Sequence, residues 1–91
     1  MAILTIELTN TIPSDRTYDV SIKKGGQVGD LNSGFVFYGS FSGSTYTISN
    51  PTPPLMYGEH YWIKIEDKSN NSFIVENIFI HDNSYFTTNC P

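Results

Sequence analysis

An all-β fold, built as a two-sheet sandwich or a small barrel, is what this 91-residue sequence predicts. Three observations predict it. Apolar residues recur at every second position in several segments, which is the period of a strand with one buried face. Gly, Pro, Asn, Asp and Ser cluster between those segments about every ten residues, a spacing typical of sandwiches and barrels. No stretch carries the i, i+3, i+4, i+7 apolar spacing of a helix over a useful length.

The elements follow in order. Leu4, Ile6 and Leu8 alternate with Thr5, Glu7 and Thr9, giving a dry face and a wet face. Residues 10–15 contain Pro13 and read as a turn. In the second strand Tyr18, Val20 and Ile22 alternate with Asp19, Ser21 and Lys23, and Gly25-Gly26 ends it. Residues 25–34 are a glycine-rich loop. The third strand, residues 35–38, is apolar on both faces and is expected to be central. Residues 39–44 read as a Gly/Ser turn with room for a short strand around Phe41.

Alternation returns at residues 45–49. Asn50-Pro51-Thr52-Pro53-Pro54 must be a crossing loop, because proline has no N–H to give a ladder. The clearest strand spans residues 60–66, with Tyr61, Ile63 and Ile65 on one face and Trp62 and Lys64 on the other. Residues 67–72 form a hairpin turn. In the last strand, residues 73–80, Glu76 shares parity with Ile74, Ile78 and Ile80, and a bulge near Glu76-Asn77 is expected to reconcile this. The polar tail from residue 81 has room for a short edge strand. The sum is six or seven antiparallel strands in a single domain covering residues 1–91, without linker or repeat.

Composition removes whole classes of function. The net charge is −4, and no basic cluster exists beyond Lys23-Lys24. Counterion-driven binding of nucleic acid needs several aligned cations, so that class is not expected. An anionic membrane surface is disfavoured for the same reason. No stretch approaches the roughly 18 apolar residues of a membrane span. Residues 1–5 lack a basic segment and a long apolar run, so they read as a first strand; if Met1 is the natural start, synthesis in a cytosol is expected. A piece of a longer secreted protein would read the same way. Cys90 stands alone and is expected to be a free thiol or to pair between molecules.

The informative stretch is residues 45–65. Thr45-Tyr46-Thr47-Ile48 and the proline-rich loop lead into Leu55-Met56-Tyr57-Gly58-Glu59-His60-Tyr61-Trp62-Ile63-Lys64-Ile65. This resembles the E strand, E–F corner and F strand of fibronectin type III domains, a branch of the immunoglobulin-like sandwiches. Leu55 matches the family's leucine, Gly58 its turn glycine and Tyr61 its corner tyrosine. Ile63 and Ile65 match its inward aliphatics. A tyrosine there can return its hydroxyl to backbone a few residues upstream and fix the crossover between sheets. Tyr57 stands where the family usually has proline. Strand C lacks the family's tryptophan, whose place Phe35 or Phe37 would take.

Catalytic patterns are not found. His60 and His81 lack the spacing of a metal motif, so no metal or cofactor is expected. Gly39-Ser40-Phe41-Ser42-Gly43 looks like a nucleophile elbow but lies in a Gly/Ser turn. The loop at residues 25–29 precedes no helix and cannot cradle phosphate. Asp19, Asp30 and Asn32 are too few for calcium, which needs six or more oxygens. The chain is therefore expected not to be an enzyme.

What remains is a surplus of aromatics. Tyr38, Phe41, Tyr57, Trp62, Phe79, Tyr85 and Phe86 cannot all enter so small a core. Tyr57, Trp62, Tyr38, Phe41, Tyr85 and Phe86 are the candidate protein interface, since Tyr and Trp concentrate at binding hot spots. The resemblance extends to small immunoglobulin-like accessory proteins that decorate or clamp tailed-phage capsids and tails. It implies a virion protein that binds and stabilises other structural proteins, with self-association open. The alternative is a carbohydrate- or protein-binding module of a larger bacterial surface protein or glycoside-degrading enzyme. A planar row of Trp62, Tyr57 and Tyr85 would mark a sugar-stacking surface.

Overall fold

The alternating segments all become strands. The computed structural model describes residues 3–9, 16–25, 34–49, 51, 54–69, 71–81 and 83–89. Within them run β1 (Ile3–Thr9), β2 (Thr17–Lys24), β3 (Val36–Ser42), β4 (Thr45–Ile48), β5 (His60–Asp67), β6 (Phe73–Phe79) and β7 (Asn83–Asn89). They form a three-stranded sheet, β4-β1-β7, and a four-stranded sheet, β3-β2-β5-β6. The expected turn at residues 10–15, most of the glycine-rich loop, the calcium candidates Asp30 and Asn32, and Cys90 lie outside the described residues.

The core is made by the dry faces read from the sequence. Leu4, Ile6 and Leu8 of β1, Tyr18, Val20 and Ile22 of β2, and Tyr61, Ile63 and Ile65 of β5 are all buried in one cluster. Phe41, Ile48, Leu55 and Ile80 complete it. Burying each such aliphatic stabilises the fold by roughly 1.5–3 kcal/mol before entropy is counted.

One pairing departs from the antiparallel expectation. β7 runs parallel to β1, in register from Ile3 opposite Asn83 to Thr9 opposite Asn89. The tail thus supplies a full edge strand. Its inward positions, Ser84 and Phe86, are buried and half-buried respectively.

The bulge lies in β3, not in β6. Ile22 opposes Val36 and Ser21 opposes Phe37, but Val20 opposes Gly39. Tyr38 is therefore an extra residue, and such an insertion exchanges the faces of the strand on either side of it. Val36 falls on the side of Ile22, yet Phe41 falls on the side of Tyr18. Phe41 is consequently core, only 8% exposed. It stacks on Tyr46 at 4.9 Å between ring centroids and tilts against Tyr18 at 5.5 Å. This removes Phe41 from the candidate interface and runs β3 on through residues 39–42, where a turn with room for a short separate strand around Phe41 was expected. β3 is also an edge strand, not a central one, which is why residues 35–38 are apolar on both faces without being buried on both.

β6 pairs with β5 without interruption, from Glu66 opposite Phe73 to His60 opposite Phe79. Glu76 therefore keeps its place on the core-facing side, opposite Ile63. β6 is the margin of the sheet, where that side runs past the core: Ile74 and Ile78 are half-buried and Glu76 is exposed.

The crossing from β4 to β5 carries the corner. Leu55 and Tyr61 are buried. The Met56 backbone N–H donates to the Tyr61 hydroxyl oxygen at 2.9 Å. Gly58 has φ +77°, a conformation that costs other residues about 1 kcal/mol or more. It sits against the end of β6, with Gly58 N–H donating to Ile80 O at 2.8 Å. Tyr61→Phe keeps the ring and removes the acceptor. It is expected to cost about 1 kcal/mol, read as a melting temperature lower by roughly 4–8 °C.

Candidate functional site

A strand buried on one side shows its other side to solvent, so the parity of the core fixes the outer face of the four-stranded sheet. On β5 that face carries His60, Trp62, Lys64 and Glu66, and on β6 it carries Phe73, Val75, Asn77 and Phe79. The bulge turns Phe37 of β3 to the same side, opposite Ser21. Phe37, Phe73 and Phe79 are 59%, 52% and 47% exposed, a quantity of open aromatic surface that one sheet face does not need for folding.

Charged and polar side chains contact two of these rings, Phe73 and Phe79. The Lys64 ammonium sits 4.7 Å from the ring centroid of Phe73 and 5.9 Å from that of Phe35. At such distances a cation is attracted to the ring face. Phe79 meets the His60 ring edge-on at 5.0 Å and lies 6.4 Å from His81. The two histidines thus flank an aromatic ring. Asn77 Nδ2 donates to Gly25 O at 3.0 Å and to Tyr61 O at 3.2 Å, and its Oδ1 lies 3.2 Å from His60 Nδ1. That amide pins the β2, β5 and β6 ends of the face together. The half-buried Trp62 stands between Lys23 and Asn77 in register.

The other candidates are dispersed. Tyr38, the bulge residue, lines a cavity of about 240 Å³ with Ile22, Val36, Pro54, Met56 and Tyr61. Burial raises its pKa, and the neighbouring Tyr61 adds to the rise. Tyr57 is exposed in the crossing from β4 to β5, beside Met56. Tyr85 lies on the outer face of the other sheet and is 61% exposed. Its hydrogen bond to Glu7 raises its pKa, assisted by burial and the Glu7 charge. Phe86 packs against the core from β7. Trp62 and Tyr85 therefore face opposite ways, and with Tyr57 they make no planar row.

Phe73 was not singled out by the sequence reading, and Phe37 was offered as a core substitute for a tryptophan; instead both are exposed, on the two edge strands of the sheet. Phe73 and Phe79 were legible as the positions out of phase with Ile74 and Ile78. Phe37 was not, because its face depends on the bulge.

The titratable groups on this face do not converge. Among the described residues, no three of His, Cys, Asp and Glu gather where a metal ion could bind. What the arrangement offers is a sheet face with three exposed phenylalanines and one lysine held over the Phe73 ring, a make-up found at contact surfaces. Comparison with models of known protein families, with curated proteins and with solved structures gives no match.

Proposed function

We propose that this chain is a non-enzymatic binding module of immunoglobulin-like, fibronectin type III-like build, and that its ligand is another protein met by the outer face of the four-stranded sheet. The observation that carries the reading is the open set of Phe37, Phe73 and Phe79 around Lys64 and Trp62. Aromatic anchors of this kind dominate protein contacts, with charges at their margin setting specificity.

The fold assignment is supported by the corner and the strand order. With β2, β3, β5 and β6 taken as C, C′, F and G, so that β3 becomes C′ and not the strand C expected of residues 35–38, the four-stranded sheet has the C′-C-F-G order of that architecture. β1 and β4 then take the places of B and E. β7 departs from the pattern, since it fills a sheet edge from the C-terminal side and runs parallel to its neighbour.

The more specific form of the proposal places the partner among the structural proteins of a tailed-phage capsid or tail. It rests on the likeness to small accessory modules, and the net charge of −4 suits a soluble surface component. Mass spectrometry of purified particles tests it. Recovery of the chain in fixed copy number supports the virion, and recovery only within a longer cell-surface polypeptide supports the alternative module. A photo-crosslinker at position 37 or 79 is expected to capture the partner, and one at Thr47 on the opposite sheet is not. The reverse pattern would sink the assignment of the face.

A further inference from the structure

β6 reads nearly the same in both directions: Phe73-Ile74-Val75-Glu76-Asn77-Ile78-Phe79. About Glu76, phenylalanine mirrors phenylalanine and isoleucine mirrors isoleucine. A strand symmetric about its middle can pair antiparallel with a second copy of itself, because a two-fold axis there sets each residue against its mirror image.

The backbone is arranged for this. Ile80 N–H donates to Glu59 O at 3.0 Å, and Asp67 N–H donates to Ser72 O at 2.7 Å. These bonds make the even-numbered residues of the uninterrupted ladder the ones bonded to β5. By the alternation of antiparallel ladders, Phe73, Val75, Asn77 and Phe79 direct their N–H and C=O groups outward. Among the described residues no strand lies beside them, since β6 ends its sheet.

With the axis at Glu76, Phe73 opposes Phe79 of the second copy, and Val75 opposes its Asn77. Both are hydrogen-bonded pairs, so ladder and sequence symmetry agree. Ile74 meets Ile78 of the second copy on the other side of the strand. Aromatic and aliphatic pairs of this kind are the stabilising unit of a sheet.

The same register sets Glu76 against its own image. That is a non-hydrogen-bonded pair, with Cβ atoms about 4.5–5.5 Å apart, where like charges repel. Glu76 is the one residue of this strand out of keeping with its row, between the half-buried Ile74 and Ile78. Charges on the core-facing row of an edge strand are a known means of keeping edges apart. We propose that the outer edge of β6 is an interface for a second copy of this chain, antiparallel about Glu76, and that the Glu76 carboxylate sets its strength by opposing its image. This interface uses the strand edge and does not depend on the sheet-face reading above.

Sedimentation of the full chain over a range of concentrations tests it. Glu76→Gln is expected to self-associate about tenfold or more tightly than the unsubstituted chain. Glu76→Lys alone is expected to gain nothing. Mixed with the unsubstituted chain, it is expected to form a heterodimer tighter than either homodimer. In the Glu76→Gln dimer the amides of Val75 and Asn77 are expected to be protected from hydrogen exchange. Adding Val75→Pro, which removes an outward N–H and leaves the β5 ladder intact, is expected to abolish pairing. If that variant fails to fold, the exchange result decides alone. Glu76→Gln sedimenting as the unsubstituted chain does, or associating while those amides exchange as in the monomer, overturns the proposal. An unsubstituted dimer as tight as that of Glu76→Gln overturns the role of the charge.

Discussion

Replacing Asp67 by alanine is expected to cost about 3 kcal/mol of folding stability at neutral pH, a fall of roughly 15 °C in melting temperature. Asp67 ends β5 with its carboxylate fully buried. One oxygen accepts from Arg16 Nη1 at 2.6 Å. The other accepts from the Ser69 hydroxyl at 2.7 Å and from the Ser69 N–H at 2.9 Å. These bonds join the start of β2 to the hairpin between β5 and β6. The Asp67 backbone closes the same turn, donating to Ser72 O and accepting from Asn71 N–H. Alanine leaves the turn donors and the guanidinium without their shared acceptor.

The pH dependence of that loss is a second signature. Hydrogen bonding from the Ser69 hydroxyl is the largest influence on the Asp67 pKa, and the Ser69 N–H and Arg16 add to it. They outweigh burial and hold the pKa below its ordinary value of 3.8. A carboxylate with a folded pKa below its unfolded one contributes its stability in full above the unfolded value and loses it as the pH falls through the folded value. Denaturant titrations should therefore show the gap between the two proteins constant near neutrality and shrinking below about pH 4. A gap independent of pH would mean that the carboxylate charge is not what the turn requires.

Gly39→Val is expected to cost a similar amount, about 3 kcal/mol, for a steric reason. Gly39 follows the bulge with φ +154°, and a Cβ at that position would collide with the Tyr46 hydroxyl. Tyr46 reaches there from the other sheet, stacked on Phe41. A branched side chain must displace a ring that forms one wall of the core. The denaturant midpoint should fall with little change in slope. In the Tyr46→Phe background the penalty should shrink, because the atom struck is gone. Strict additivity of the two substitutions would exclude the collision as the cause.

The sequence made legible what alternation can report. In β1, β2 and β5 each residue sees either the core or water, so Leu4, Val20 and Ile63 announce their faces. Edge strands do not obey this as cleanly. Residues 35–38 read as a central strand because they are apolar throughout, but β3 is an edge whose outer side carries an exposed phenylalanine. Its extra residue, Tyr38, has no composition that marks it, and Phe41 was misplaced as a result. Glu76 drew an inserted bulge because a carboxylate on a core-facing row looked like an error of phase. The phase was right, and the row runs beyond the core. β7 was legible as a short edge strand, but its length and parallel direction were not, since its partner lies at the far end of the chain. The corner of Leu55, Gly58 and Tyr61 was legible because its spacing is a local requirement. The aromatic face was half legible: β6 showed it and β3 hid it.

The parallel pairing of β1 and β7 bears on how this molecule would carry tension. Both strands point the same way, so a pull on the chain before Ile3 and after Asn89 acts at opposite ends of the pair. The load then runs along the strands, and the ladder between them must yield in shear, many bonds at once. Had the edge strand been antiparallel, the same pull would peel the pair open from one end, one bond after another. Resistance to such a pull is set by the rate of unfolding more than by equilibrium stability. A module joined through its two ends to other parts of an assembly would, by this one choice of direction, transmit force before it gave way.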